Sequence, residues 1–269
     1  MAWSIERRAE HVALVTMMTN KVNAQNPAFF ADLHHAFDRL ENEFADCAVV
    51  LTGAGSVFSA GLDLEYHLPL FARRSIHEVN AWFEAYRATN LRIFTYPRLT
   101  VAAINGHAYA GGLITALGCD LRIAAAGDLR FALNEVLIGI PMPAAYCEII
   151  KYAVGTRPAS ELVLFGQVYD LPGAQRLGVV DRVVPPERLI EEAVAAAGAI
   201  KPECHPAFAY AKQALQAETL RAIEDAQRLD LDLLASRLTD PGNLRAQANG
   251  YRKLKDREPG WVIASQATE

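Results

Sequence analysis

Residues 105–112 read Asn-Gly-His-Ala-Tyr-Ala-Gly-Gly and lie between two apolar runs, Leu99–Ile104 and Leu113–Cys119. The first run predicts a buried strand, Asn105-Gly106 predicts its end, and the second run predicts a helix. If Gly111-Gly112 opens that helix, its first N–H groups have no intrahelical partner and point outward. The missing side chains would also let a ligand approach the backbone closely. These glycines therefore either permit a tight turn between packed elements or present N–H donors to a ligand.

A similar order of features occurs earlier in the chain. Cys47–Leu51 is a short apolar run that predicts a buried strand, and Thr52-Gly53-Ala54-Gly55 breaks it. A second Ala-Gly step follows in Ser59-Ala60-Gly61-Leu62-Asp63-Leu64. Strands that alternate with helices favour an α/β fold built from a repeated strand–strand–helix unit. If the two Ala-Gly steps converge, their N–H groups would form an oxyanion hole, a pair of donors that stabilises negative charge on one oxygen.

The remaining apolar periodicity divides the chain into two regions. Val12–Met18 predicts a strand, and the 3.6-residue period of Phe29–Phe44 and of most of Glu65–Arg92 predicts helices. We expect an α/β core over residues 1–186. Residues 187–269 are rich in Ala, Leu, Glu and Arg, hold no strand candidate and predict a helical C-terminal region. Such a small region would bury its apolar face better against a neighbouring subunit than alone.

Composition and charge exclude several classes of protein. The chain has 269 residues, 52% of them hydrophobic, so it can bury a large core and is not disordered. Its net charge of −5 argues against a nucleic-acid partner, and no run of about 18 uncharged apolar residues predicts a membrane span. The charged N-terminus does not resemble a secretory signal, so we expect a cytoplasmic location. We expect no metal site, because the four cysteines lie far apart and form no Cys-x-x-Cys pair.

A single carboxylate lies within a strongly apolar segment, Phe131–Pro141, which reads Phe-Ala-Leu-Asn-Glu-Val-Leu-Ile-Gly-Ile-Pro. Burial disfavours the charged form of a carboxylate and raises its pKa towards the range of a general base. Glu135 is therefore a candidate catalytic residue if its side chain points inward. If the side chain points to solvent instead, the segment is a buried loop with one exposed charge.

These three segments, in this order and spacing, resemble the crotonase superfamily of enoyl-CoA hydratases and isomerases. The resemblance runs through Ala-Gly-Leu-Asp-Leu at 60–64, the Asn-Gly to Ala-Gly-Gly block at 105–112, Cys119-Asp120 and Leu133-Asn134-Glu135. Residues 178–185 are also similar to the strand that closes the family's core. The resemblance implies a spiral of strand–strand–helix turns with a C-terminal helical trimerisation region, and therefore a homotrimer or a homohexamer.

The same resemblance assigns roles to individual residues. The backbone N–H groups of Leu62 and Gly111 would be the two oxyanion donors, and Glu135 would be the catalytic carboxylate. The substrate would be a coenzyme A thioester, an acyl-CoA, with no separate cofactor. The path of the coenzyme and the acyl chain would be lined by six further residues: Ala60, Gly61, Asp63, Leu64, Asn134 and Ile114.

Ile114 departs from the hydratase pattern. Hydratases of the family carry a second glutamate three residues after the second oxyanion glycine, and in this chain that position is Ile114. Adding water across a double bond requires groups that hold the water and exchange protons with it, which two carboxylates do well. One carboxylate is enough to move a proton between two carbons of one substrate. Together with the resemblance, this departure predicts a Δ3,Δ2-enoyl-CoA isomerase.

Two alternatives remain open at this level. One is another crotonase reaction, namely hydration, thioester hydrolysis or decarboxylation, in which Glu135 acts with a water that is held elsewhere. The other is a non-catalytic acyl-CoA-binding subunit. A pure binder has no need of a buried carboxylate, which argues against this second alternative.

Overall fold

The structure, a computed structural model, describes residues 3–256 and consists of two sheets flanked by helices. Short 3-10 turns lie at Glu135–Ile138, Pro186–Arg188 and Pro202–Cys204. The strands are β1 (Ser4–Ala9), β2 (Val12–Met17), β3 (Ala48–Gly53), β4 (Val57–Ser59), β5 (Thr100–Ile104), β6 (His107–Tyr109), β7 (Leu121–Ala125), β8 (Phe131–Ala132), β9 (Val168–Tyr169) and β10 (Arg182–Val184). The helices are α1 (Pro27–Asn42), α2 (Leu64–Ala72), α3 (Ile76–Phe94), α4 (Gly111–Leu117), α5 (Ala144–Val154), α6 (Thr156–Phe165), α7 (Leu171–Arg176), α8 (Leu189–Ala197), α9 (His205–Leu238) and α10 (Pro241–Lys255).

The larger sheet lies at the centre of the molecule and has the strand order β1-β2-β3-β5-β7-β10. β1 and β2 are antiparallel, and the other neighbours are parallel. Every residue of β3 and of β5 is buried, because side chains on both faces of the sheet belong to hydrophobic clusters. Strands that are buried on both faces read as continuous apolar runs, which is the pattern that predicted them.

The smaller sheet has the order β4-β6-β8-β9 and supplies the second strand of each repeated unit. β4 follows β3, β6 follows β5 and β8 follows β7, so the chain alternates between the two sheets. β4, β6 and β8 are parallel to one another, and β9 pairs with β8 in the antiparallel sense. The α/β class and the repeated strand–strand–helix unit are as the sequence predicted.

The C-terminal helices lie on different sides of the larger sheet, where α8 packs on its strands and α9 packs on other helices. Leu189, Ala193 and Ala197 of α8 are buried against β2, β3, β5 and β7 on one face. α9 contacts α3 and α5 on the other side, where Leu234 and Leu238 join the larger hydrophobic cluster. The division into a core over residues 1–186 and a C-terminal region over residues 187–269 stays a prediction. In the structure, α8 covers one face of the larger sheet and so forms part of the core.

Two helices differ from the sequence-based expectation. Glu65–Arg92 contains two helices rather than one, because Arg74 takes a φ of +57° and Ser75 starts α3 by accepting a hydrogen bond from Glu78 N at 3.3 Å. α4 begins at Gly111, two residues before the apolar run that predicted it. The apolar pattern marks the buried part of a helix, whereas these boundaries depend on backbone angles and caps.

Two buried polar contacts attach α9 to the core. Lys212 Nζ lies 2.9 Å from the carboxylate of Asp120, and the Lys212 side chain is only 5% exposed. The same carboxylate accepts hydrogen bonds from the backbone N–H and the hydroxyl of Thr100, each at 2.9 Å. Gln216 Nε2 donates to Phe94 O at 2.8 Å. The buried Lys212 charge therefore depends on Asp120.

We expect Asp120→Asn to lower the free energy of unfolding by about 2 kcal/mol, because it removes the counter-charge of a buried ammonium group. Asn still offers an oxygen to Thr100, so the loss reports mainly on the ion pair. The double variant Asp120→Asn/Lys212→Met should recover most of the loss, since neither charge then remains. Urea titration measures both variants. A single variant as stable as the parent protein would contradict this role.

Candidate active site

Three loops that follow neighbouring strands of the smaller sheet form the candidate active site. Leu62 follows β4, Gly111 follows β6 and Glu135 follows β8, each within three residues of the strand end. Because these strands are parallel, their carboxyl ends lie at the same edge of the sheet, where open α/β sheets place their ligands. The fold therefore brings together the three residues to which the sequence assigns chemistry.

The N–H of Leu62 faces away from its neighbouring segment. In the parallel bridge between Gln25 and Leu62, Gln25 N donates to Gly61 O at 2.7 Å and Asp63 N donates to Gln25 O at 2.8 Å. Such a bridge uses the groups of the flanking residues, so the N–H of Leu62 points to the opposite side. It has no acceptor within residues 3–256. Gly61 makes this chain direction possible, since its φ of +77° is unfavourable for other residues.

The N–H of Gly111 is the first of helix α4. Ala110 precedes it with φ +49° and ψ −128°, a conformation that residues with a side chain rarely adopt. Ala110 O accepts from Leu113 N at 2.9 Å and from Ile114 N at 3.1 Å, and in the described part of the chain Gly111 N–H has no acceptor. A Cβ atom added to Gly61 would lie 2.9 Å from Gly111 N. The two Ala-Gly steps are therefore in contact, and their unused N–H groups are neighbours.

The side chain of Glu135 is 8% exposed and lines a cavity of about 20 Å³. Leu62 and Ile114 line the same cavity. One candidate donor, the candidate base and the position of the family's second glutamate therefore border one space. Among the described residues that line this cavity, Glu135 is the only carboxylate. The other lining residues are apolar or aromatic: Trp82, Tyr86, Ile140, Pro141, Met142, Pro143, Tyr146, Leu234 and Leu238.

Burial raises the pKa of Glu135 to about 7, although a hydrogen bond with its own backbone N–H opposes the rise. Its Oε2 atom is buried and has no hydrogen-bond partner within residues 3–256. That oxygen therefore keeps lone pairs for an incoming proton. With a pKa close to neutral, the group is populated both as base and as acid at pH 7, which suits a residue that takes a proton and gives it back.

Of the six residues predicted to line the path of the coenzyme and the acyl chain, Ile114 lines the cavity and Asn134 does not. Ile114 lies in the first turn of α4 and is 2% exposed. Asn134 is half-buried, and its carbonyl accepts from Leu137 N at 3.1 Å at the start of the turn that carries Glu135. Asn134 thus shapes the backbone of the candidate base, and its contact with an acyl group stays a prediction.

The other four predicted residues belong to the loop around the N–H of Leu62: Ala60, Gly61, Asp63 and Leu64. Ala60 N donates to Val22 O at 2.9 Å. The side chain of Asp63 accepts from Glu65 N at 3.1 Å and caps α2, which begins at Leu64. These contacts fix the loop and leave its role in binding a coenzyme as a prediction.

The residues that close the cavity, and Gln25, which contacts both Ala-Gly steps, were not predicted as site residues. Trp82 and Tyr86 of α3 stack with ring centroids 5.5 Å apart, and Leu234 and Leu238 of α9 complete the wall. Their helical spacing indicates a buried face but not which part of the core that face meets. Gln25 lies in an irregular stretch, and no local pattern distinguishes it.

The part of the chain that the structure describes adds no second reactive centre near the cavity. Burial raises the pKa of the Cys119 thiol to about 12, so the thiol stays protonated. Among the side chains that the structure describes, no three His, Cys, Asp or Glu form a group that could hold a metal ion. None of the helices in that range has the length and apolar character needed to cross a bilayer.

The two sheets and the C-terminal helices match the crotonase fold, as the sequence predicted. The crystal structure of human mitochondrial Δ3-Δ2-enoyl-CoA isomerase has a TM-score of 0.86 to this chain at 27% identity, covering 95% of this chain and 99% of that chain. The family model for enoyl-CoA hydratase/isomerase matches residues 7–250. The protein is a member of the enoyl-CoA hydratase/isomerase family.

Relatives within this family carry both names. A Thermus thermophilus protein with the provisional name enoyl-CoA hydratase is 33% identical over 255 residues, which cover 93% of this chain and 96% of the relative. The human mitochondrial enoyl-CoA delta isomerase 1 is 33% identical over 188 residues, which cover 69% of this chain and 61% of the relative. The particular reaction must therefore be argued from the site.

We expect Glu135→Gln to stabilise the protein at pH 8 and to leave its stability nearly unchanged near pH 4. Between the usual pKa of 4.5 and the native pKa of about 7, the native state binds more protons than the unfolded chain, so stability falls as pH rises through this window. Above pH 7 the free energy of unfolding is lowered by up to about 3 kcal/mol, and the uncharged amide of Gln avoids this loss. Urea titration at both pH values measures the difference. Equal stability of parent and variant at pH 8 would contradict the burial of this charge.

Proposed function

We propose that the protein is a Δ3,Δ2-enoyl-CoA isomerase in which one carboxylate, Glu135, moves a proton along an acyl chain. The observation that carries this proposal is the shared cavity, which Glu135 and Leu62 both line. At the position where the family's hydratases carry a second glutamate, the cavity is lined by Ile114. A single base with a pKa near neutral suits a proton that leaves one carbon and returns to another.

The reaction begins with polarisation of the thioester. The N–H groups of Leu62 and Gly111 bind the carbonyl oxygen, which makes the C2 proton acidic. Glu135 takes that proton, and the electrons of the C2–H bond form the C1–C2 double bond of a dienolate whose charged oxygen stays on the two donors. Glu135 then returns the proton to C4. The electrons of the C3–C4 bond form the new C4–H bond, the C1–C2 electrons move to C2–C3, and the carbonyl is restored.

The apolar lining of the cavity favours this reaction over hydration. Ile114 and Met142 offer no hydrogen bond to a water molecule, and the rings of Trp82 and Tyr86 cover the same space. With little water present, the two N–H donors act in a low dielectric and stabilise the dienolate more strongly than they would in solvent. Hydration calls for a second carboxylate to activate the water, and the described lining holds no carboxylate besides Glu135.

The proposal extends to the rest of the predicted path and to the assembly. The loop 60–64 and Asn134 would guide the coenzyme and the acyl chain, and the substrate itself would bring the only coenzyme. The C-terminal helices would build a homotrimer or a homohexamer. A cytoplasmic location is part of the same proposal.

We expect the purified protein to convert 3-enoyl-CoA into conjugated 2-enoyl-CoA, followed by ultraviolet absorbance. Glu135→Gln should lower kcat about 10²- to 10⁴-fold, because the amide cannot accept the C2 proton. Binding of acyl-CoA, measured by calorimetry, should persist because the backbone donors are unchanged. Glu187→Gln, at an exposed position, serves as the matched control. A parent protein without isomerisation, or full activity of Glu135→Gln, would refute the proposal.

We expect Ile114→Glu to raise the hydration of 2-enoyl-CoA at least about 10-fold, because it supplies the second carboxylate that can activate water. Ile114→Gln has the same size without the charge and should not gain hydration. The loss of conjugated absorbance measures hydration, and thermal melting verifies that both variants are folded. Equal hydration by the two variants would contradict the idea that a carboxylate at position 114 decides between isomerisation and hydration.

A further inference from the structure

Gln25 contacts both loops that carry the proposed donors. It is completely buried, and its backbone pairs with Gly61 and Asp63 on either side of Leu62. Its side chain extends in the other direction, where Nε2 donates to Gly111 O at 3.1 Å and to Thr115 Oγ1 at 2.9 Å. One residue therefore links the strand-like Leu62 loop to the first turn of α4.

The far end of the Gln25 side chain also packs on Gly111. A Cβ atom placed on Gly111 would overlap Gln25 Oε1 and the hydroxyl of Tyr86. A side chain at position 111 would therefore displace the ends of the Gln25 and Tyr86 side chains. The contact places the end of the Gln25 side chain directly against the first residue of α4.

The presence of a polar side chain here is unexpected on grounds of stability. Gln25 Oε1 is buried and has no hydrogen-bond partner within residues 3–256. An apolar side chain of similar size would fill the same space without an unsatisfied acceptor. A buried polar atom that is left without a partner is a departure of the kind expected at functional sites.

We propose that Gln25 is a positioning residue that sets the separation and direction of the Leu62 and Gly111 N–H groups. This inference rests on the proposed function, since it assumes that the two groups bind one oxygen. Donors must lie close to the position of the developing charge, and small displacements weaken them strongly. Gln25 acts through the backbone of both donors and does not itself touch the thioester.

The test replaces Gln25 with Leu, and with the unbranched Met in case Leu disturbs folding. Gln216→Leu is the matched control, because Gln216 is also buried and also donates to a backbone carbonyl, that of Phe94. The readouts are kcat and KM with 3-enoyl-CoA, thermal melting, and the ¹³C chemical shift of the thioester carbonyl in bound acyl-CoA labelled at C1. The shift reports the polarisation of the carbonyl without any turnover.

We expect the parent protein and Gln216→Leu to give the same downfield shift on binding, and Gln25→Leu and Gln25→Met to lose at least half of it. kcat should fall about 10- to 100-fold in the Gln25 variants with little change in KM or melting temperature. A full shift and full kcat in these variants would overturn the role of Gln25 and leave the proposed function intact. No shift in the parent protein would refute the paired donors themselves. If the parent protein gives the ¹³C shift but no isomerisation, only the proposed reaction is refuted. The loss or retention of the shift in the Gln25 variants would then still decide the role of Gln25.

Discussion

The parallel pairing of β4, β6 and β8 is the constraint on which the site depends. Each of these short strands ends at the same edge of the smaller sheet, and the chain leaves each of them through a loop with a reactive group. Residues that are widely separated in sequence thereby meet without any long side chain reaching across the molecule. The larger sheet supports this arrangement, because β4, β6 and β8 each follow directly on a strand of the larger sheet, namely β3, β5 and β7.

The site concentrates features that reduce stability. Ala110 holds a backbone conformation that favours glycine. Glu135 and Gln25 each have a buried oxygen that finds no hydrogen-bond partner in the part of the chain that the structure describes. Each of these features is unfavourable by itself, and the surrounding core holds them in place. The backbone N–H groups of Leu62 and Gly111, which have no acceptor among the described residues, are also unfavourable for stability. Under the proposed function, such a site is prepared to receive an oxygen and a proton, because its groups are already oriented and carry no other hydrogen bonds among the described residues.

Much of the site could be predicted from the sequence because its parts are local. Ala-Gly steps after apolar runs, and one carboxylate in an apolar segment, point to backbone donors and a base, and the resemblance to a family ordered these pieces. The end of α2 and the start of α3 could not be predicted, since they depend on the backbone angle at Arg74. Gln25 was missed because its importance lies in contacts with distant residues. The same holds for the wall contributed by α9, which only the tertiary packing defines.

The wall of the cavity has a consequence for how such a protein can diverge. Leu234 and Leu238 come from α9, whereas the candidate donors and the candidate base lie between residues 62 and 135. Under the proposed function, mutations in α9 would reshape the room for the acyl tail without altering the groups that move the proton. The part of the substrate range that α9 sets would then be encoded separately from the reaction type, whereas Trp82 and Tyr86 keep another part of the wall in the same stretch of the gene as the candidate donors.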